Sequence, residues 1–247
     1  MSPVNRGITR RNVLETLGLA GAAMVAACAS SPTSASSTNN YDDHDDNGTS
    51  STTGSCVVAA EETAGPYPDR LGMISNQAFL RQDITEGKSG LPLTLTLTIV
   101  NIRQSCAAVS NASVEIWQCD AAGHYSEYAQ QGYDGTGQTF LRGVQVTNSA
   151  GVATFRTICP GWYMGRATHI HVQVFVNGAV VKTTQVAFPE NVTAGVYRTG
   201  VYAAKGQSTT SNASDNVFSD GTQTEMATLA GDTASGYTAT LAVGVSA

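Results

Sequence analysis

Residues 91–100 read Leu-Pro-Leu-Thr-Leu-Thr-Leu-Thr-Ile-Val, and that alternation constrains the fold of this chain more than any other feature. Successive side chains of an extended strand point to opposite faces, so the Leu/Thr pattern sets one apolar face on a core and one polar face outward. A helix of period 3.6 would scatter the same leucines around its axis. Shorter strand-like runs follow at 113–118, 140–146, 152–157, 169–176, 180–188 and 237–245. Asn148-Ser149-Ala150-Gly151 and Asn177-Gly178 stand between neighbouring runs as hairpin turns, with Asn-Gly the stronger signal. Residues 195–226 are irregular and are expected to form long loops. Many short strands divided by turn residues predict an all-β domain over 56–247, an antiparallel sandwich or barrel.

Charge limits the partners. Only 13% of residues are charged and the formal net charge is −6. Arg6, Arg10 and Arg11 against Glu15 leave the first 28 residues at +2, while Asp42, Asp43, Asp45 and Asp46 make the following stretch −4. The body is therefore mildly acidic with no basic run. Nucleic acid is excluded as an expected partner, because phosphate binding needs clustered Lys and Arg.

The N-terminus reads as an address. Thr9-Arg10-Arg11-Asn12-Val13-Leu14 precedes an apolar stretch from Leu17 to Ala27 that is too short to span a bilayer. The paired arginines resemble a bacterial twin-arginine signal. Val25-Ala26-Ala27-Cys28 resembles a lipobox, in which Cys28 would become the lipidated first residue of an envelope protein. A plain signal peptide with an incidental Cys, leading to a periplasmic or secreted protein, is the alternative. Residues 29–55 are Ser, Thr, Asn, Asp and Gly with almost no large apolar side chains, and are expected to form a disordered tether. Asp42-Asp43-His44-Asp45-Asp46 within it reads as solvated charge, since nothing there preorganises ligands. Export brings an oxidising compartment, and Cys56, Cys106, Cys119 and Cys159 make an even number. Cys106–Cys119 is the favoured pairing because the two flank one loop and strand, which leaves Cys56–Cys159 by elimination. No CxxC spacing supports a zinc–sulfur site.

His169-Ile170-His171 opens one of the strands, so both imidazoles project from the same face and can reach one metal ion. Bare His-x-His is a weak signal. The body holds only one other histidine, His124, and Pro160-Gly161-Trp162-Tyr163-Met164-Gly165-Arg166 lies immediately upstream.

Four ordered blocks carry a stronger signal: residues 117–126 (Trp-Gln-Cys-Asp-Ala-Ala-Gly-His-Tyr-Ser), 140–143 (Phe-Leu-Arg-Gly), 155–163 (Phe-Arg-Thr-Ile-Cys-Pro-Gly-Trp-Tyr) and 166–171 (Arg-Ala-Thr-His-Ile-His). In order and spacing they resemble the intradiol ring-cleavage dioxygenases, the family of catechol, hydroxyquinol and protocatechuate dioxygenases. Thr63-Ala64-Gly65-Pro66-Tyr67 resembles that family's leading segment. The resemblance spans the chain from about residue 56 onward. It implies a β-sandwich holding one non-haem Fe(III) through Tyr125, Tyr163, His169 and His171, with Tyr125 and His171 equatorial and Tyr163 and His169 axial. It implies a catecholic substrate and O2 as partners, Tyr163 as the ligand that leaves to take a substrate proton, and Arg166 as the charge that steadies an anionic ring. Gln185 matches a position near the substrate; Tyr67 and Trp162 are expected to line the pocket. Phenolates are hard anionic donors suited to a trivalent ion, whereas imidazole suits several metals. The chain departs from the family's cytosolic members by its leader and by lacking an obvious helical dimerisation segment, so its oligomeric state stays open. No side chain stands out as a reader for a substrate carboxylate, so protocatechuate is not favoured over catechol or hydroxyquinol. Two other readings remain at this stage: an inactive sandwich that binds aromatics or carbohydrate, and a cell-surface adhesion domain.

Overall fold

The computed structural model describes residues 57–247. The expected signal, the lipidated Cys28 and the tether lie outside the described residues. The body is built on two sheets packed face to face. The first joins β1 (Pro92–Asn101), β2 (Ala107–Ala108), β7 (Val152–Ile158), β10 (Thr228–Asp232) and β11 (Gly236–Val245). The second has the order β6-β3-β8-β9, from β3 (Ser113–Trp117), β6 (Arg142–Val146), β8 (His169–Val176) and β9 (Ala179–Ala187). A small ribbon of β4 (Ala129–Gln130) and β5 (Tyr133–Asp134) and one short helix, α1 (Glu190–Val196), complete it.

The Leu/Thr alternation does what it predicts. Leu93, Leu95, Leu97 and Ile99 of β1 are buried and the intervening threonines are not. They meet Val114, Ile116, Ile170, Val172, Val174 and Val186 of the second sheet in one continuous core. Burial of each such side chain stabilises by roughly 1.5–3 kcal/mol, so this core supplies most of the driving force.

Two expectations about pairing need correction. β1 and β11 pair in parallel, Leu93 opposite Tyr237 through Asn101 opposite Val245, so the first sheet is mixed. Asn177-Gly178 is the expected hairpin turn, joining Val176 to Ala179 with φ of 53° and 80°. Residues 148–151 are not a hairpin turn: β6 pairs with β3 and β7 with β1, so this turn carries the chain from one sheet to the other. A turn signal marks a reversal, but only tertiary pairing decides which partner is met.

The cysteine pairing also differs. Cys119 and Cys159 are free and buried, so neither Cys106–Cys119 nor Cys56–Cys159 forms. Cys106 is disulfide-bonded, and Cys28 and Cys56 lie outside the described residues. The reason is geometric. The extended strand β3 lies between Cys106 and Cys119 and separates them at about 3.3 Å per residue. Cys119 lies in a cluster with Trp117 and Tyr125, whereas Cys159 belongs to the inter-sheet core.

Candidate active site

Strand parity places the site. On β8, Ile170, Val172 and Val174 face the other sheet, so His169 and His171 face outward, yet both are buried. Loops cover this outer face. Cross-strand register then aligns one row of side chains across the sheet: Arg142 opposite Trp117, Trp117 opposite His171, and His171 opposite Gln185. The Trp117 indole stacks on the His171 ring at 4.7 Å and 3°. Gly65, with φ +69°, lies so close that a Cβ there would stand 2.9 Å from His171 Cε1. The segment resembling the family's leader therefore packs on a ligand candidate, and glycine is what allows the approach.

Tyr125 comes from the loop after β3. Asp120 Oδ1 accepts the Ala122 and His124 backbone N–H groups, which tightens that loop. Tyr125 N–H donates to Gln130 Oε1 at 2.6 Å, and Tyr67 stacks on its ring at 4.6 Å. The side chain is fully buried. Tyr163 is only partly buried and begins a tight turn in which Arg166 N–H donates back to Tyr163 O. Gly165 in that turn has φ +87°.

The donor atoms converge on His169 Nε2: Tyr125 Oη and Tyr163 Oη each lie 3.5 Å away and His171 Nε2 lies 3.2 Å away. His169 Nδ1 bonds the Ala167 carbonyl at 2.7 Å and must therefore carry the proton, which leaves the Nε2 lone pair aimed at the cluster. Two donors to one ion bound at about 2.1 Å lie no more than about 4.2 Å apart, and all three distances from His169 Nε2 are within that reach. The observed spacing fits one ion. Among the described residues no group of three or more His, Cys, Asp and Glu side chains could hold a metal, so a metal set here must include tyrosines.

Burial dominates the electrostatics of the protein groups. It pushes His169 down to about 3, aided by Arg166, and His171 well below its ordinary value, with His169 the next cause. It raises Tyr125 well above the usual phenol value and Tyr163 to about 12. A cation at the centre would oppose the rise at both tyrosines by favouring phenolate, and would keep both imidazoles neutral.

Arg166 donates through Nε to both oxygens of Asp215, at 3.0 and 2.9 Å, and through NH2 to Gln185 Oε1 at 2.6 Å. Its NH1 lies 3.4 Å from His169 Nε2. Gln185 also donates to Thr63 O at 3.2 Å, so it ties the Gly65 segment to Arg166. Arg142, fully buried, donates to Ser126 Oγ and to the Tyr67 and Ser126 carbonyls and pairs with Glu127, holding both sides of Tyr125. Trp162 Nε1–H donates to Gly206 O, and its partly buried ring packs against the inter-sheet core.

Sequence reasoning missed Asp215, which lies 49 residues from Arg166 in an irregular stretch with no motif. It also missed Glu62 and Glu225. Burial, followed by Asp220, raises Glu62 to about 7, and burial, followed by Glu62, raises Glu225 to about 7. Glu225 Oε1 accepts from Thr184 Oγ1 and Gln185 N, each at 3.2 Å.

These features gather two phenols, two imidazoles and a guanidinium on the outer face of a β-sandwich. A family model named Dioxygenase_C and described as Dioxygenase matches residues 64–207, more than half the chain. The chain belongs to this family, as an intradiol ring-cleavage dioxygenase. Among solved structures it is similar to an intradiol ring-cleavage dioxygenase from Tetranychus urticae, with 27% identity, a TM-score of 0.69, and coverage of 77% of this chain and 95% of the other. It is also similar to the dioxygenase domain of a dioxygenase carbohydrate-binding protein fusion from Streptomyces sp. SirexAA-E, with 27% identity, a TM-score of 0.54, and coverage of 76% and 97%. The 3-chlorocatechol 1,2-dioxygenase of Rhodococcus opacus 1CP shares the fold, with 21% identity, a TM-score of 0.51, and coverage of 76% and 72%. No curated protein sequence matches.

Proposed function

We propose that this protein is an exported, ferric intradiol dioxygenase that opens catechol-type rings between the two hydroxylated carbons and releases cis,cis-muconate-type diacids. The observation that carries this reading is the convergence of two phenol oxygens and a second imidazole nitrogen within 3.5 Å of His169 Nε2. Tyr125, Tyr163, His169 and His171 would hold the ion. A bound Fe(III) would take both catechol oxygens and make a ring carbon reactive toward O2, whose two atoms both enter the product.

The remaining work falls to the chain. Tyr125, buried and clamped by Tyr67, Gln130 and the Arg142 network, is the ligand that stays. Tyr163, partly exposed on a turn, is the one free to swing aside and accept a substrate proton at its phenol oxygen. Arg166 supplies fixed positive charge beside the cluster, where preorganised charge contributes a few kcal/mol to a developing anion. Gln185 and Tyr67 flank the same space and support a role in seating the ring. Arg166 is already paired with Asp215 and lies near Glu62, so an uncharged catechol suits the site better than a carboxylated one.

Export rests on Arg10-Arg11, the short apolar stretch and Ala26-Ala27-Cys28. Cys28, as the lipidated first residue of the mature chain, would anchor the enzyme in a bacterial cell envelope. No helix among the described residues is long and apolar enough to cross a membrane.

The direct test is to purify the protein with iron and follow its visible spectrum and O2 uptake. Tyrosinate-to-ferric colour that shifts on anaerobic catechol addition, and a muconate-type product in air, are expected. A colourless protein that cannot be reconstituted with iron, and that leaves catechol unchanged, would sink the reading.

A further inference from the structure

We infer that Asp215 is a positioning residue of the reaction, holding the Arg166 guanidinium against the ligand cluster and, through Ala167, the ring of His169. This rests on the function proposed above. The Asp215 side chain is fully buried and accepts four hydrogen bonds: Arg166 Nε on each oxygen at 3.0 and 2.9 Å, Ala167 N at 2.7 Å and Val217 N at 2.9 Å. The bond to Ala167 N steadies the peptide group whose neighbour, the Ala167 carbonyl, accepts from His169 Nδ1 at 2.7 Å. The bonds to Nε leave NH1 and NH2 directed elsewhere: NH1 stands 3.4 Å from His169 Nε2 and NH2 bonds Gln185. One carboxylate thus sets the position of two groups at the centre.

Asp215 is itself held. It follows the short 3-10 turn Asn212–Ser214, which starts in a reciprocal Ser211–Ser214 cap. Asn212 Nδ2 donates to Phe188 O at 2.9 Å and Asn212 N to Glu190 Oε1 at 2.7 Å, which fastens the turn to the residues after β9. A buried ion pair is a weak source of stability, because desolvation offsets much of its attraction. Removing one partner alone leaves the other charge buried and unpaired, so Asp215 bears on where Arg166 points and its loss also costs stability.

Asp215→Asn keeps an acceptor for Ala167 N while removing the charge that clamps Nε. In metal-free protein, phenylglyoxal labelling of Arg166, mapped by mass spectrometry, is expected to rise severalfold relative to the wild type. In iron-loaded protein, iron content should stay near wild type while kcat falls about 10- to 100-fold and KM changes little; the melting temperature is expected to fall, because Arg166 loses its counter-charge. The double variant with Arg166→Ala should be no slower than Arg166→Ala alone, since the carboxylate acts through that side chain. Unchanged labelling with unchanged kcat, or fully additive losses in the double variant, overturns the inference. Should the Asn variant not fold, Asp215→Glu takes its place. Its longer arm displaces the guanidinium, so rate loss with retained iron is expected, and wild-type rate and labelling overturn it. The labelling arm needs neither iron nor substrate, so it can fail or succeed independently of the ring-cleavage reading.

Discussion

At the scale of single residues, the four ligand candidates differ in how firmly they are held. Tyr125 and His171 are fully buried between Tyr67, Trp117 and Gly65, whereas Tyr163 is partly exposed on a turn. Tyr125→Phe and His171→Ala are therefore expected to lose iron on purification, measured by metal analysis. Arg166→Ala should keep iron and colour and lose about 10- to 100-fold in kcat. Equal iron loss in all three variants would contradict these roles. Gly65→Ala tests the close approach: its φ of +69° is strained for any side chain, and the new Cβ meets His171 Cε1 at 2.9 Å. A weaker hold on iron in a competition with chelator is expected, with the fold retained.

At the scale of elements, β3 carries a charge on the face that shares Trp117. Glu115 is 3% exposed, and burial, followed by Asp69, raises its pKa to about 7 while Arg142 opposes. The folded protein therefore retains a proton that the unfolded chain releases above its ordinary 4.5. Stability contributed by this group is present below pH 4.5 and is lost as pH rises through about 7. Glu115→Gln should remove that loss. Its melting temperature relative to wild type should be several degrees higher at pH 8 than at pH 5, for a penalty of roughly 2 kcal/mol. An equal difference at both pH values would mean that the carboxyl is already ionised without cost. The strands themselves were legible: 169–176 agrees with β8 to the residue, and 152–157 falls one short of β7. Their pairing was not, because hydrogen-bonded register depends on partners far along the chain.

At the scale of the whole molecule, metal and anchor each offer a test. An ion that binds only the folded site stabilises it by mass action, so chelation should lower the melting temperature and Fe(III) should restore it. The shift should disappear in Tyr125→Phe. If Cys28 is lipidated, Cys28→Ser should move the protein from the membrane to the soluble fraction of the producing cell; unchanged fractionation would count against the anchor.

Sequence by itself determined the strand pattern, the acidic body and the residue types of the centre, because periodicity, charge and motif spacing are local properties of a chain. Strand parity pointed to His169 and His171 as a pair, whereas Tyr125, Tyr163, Arg166 and Gln185 were named through the resemblance of the ordered blocks to a known family. Tertiary structure decided that β11 joins β1 in parallel, that Cys119 and Cys159 stay free, and that Trp162 packs against the core. It also brought Asp215 and Glu225 to the site from a stretch with no pattern of its own. The physical reason is that parity and turn chemistry act over a few residues, whereas a site on the outer face of a sheet is closed by loops whose positions depend on the packing of the entire sandwich.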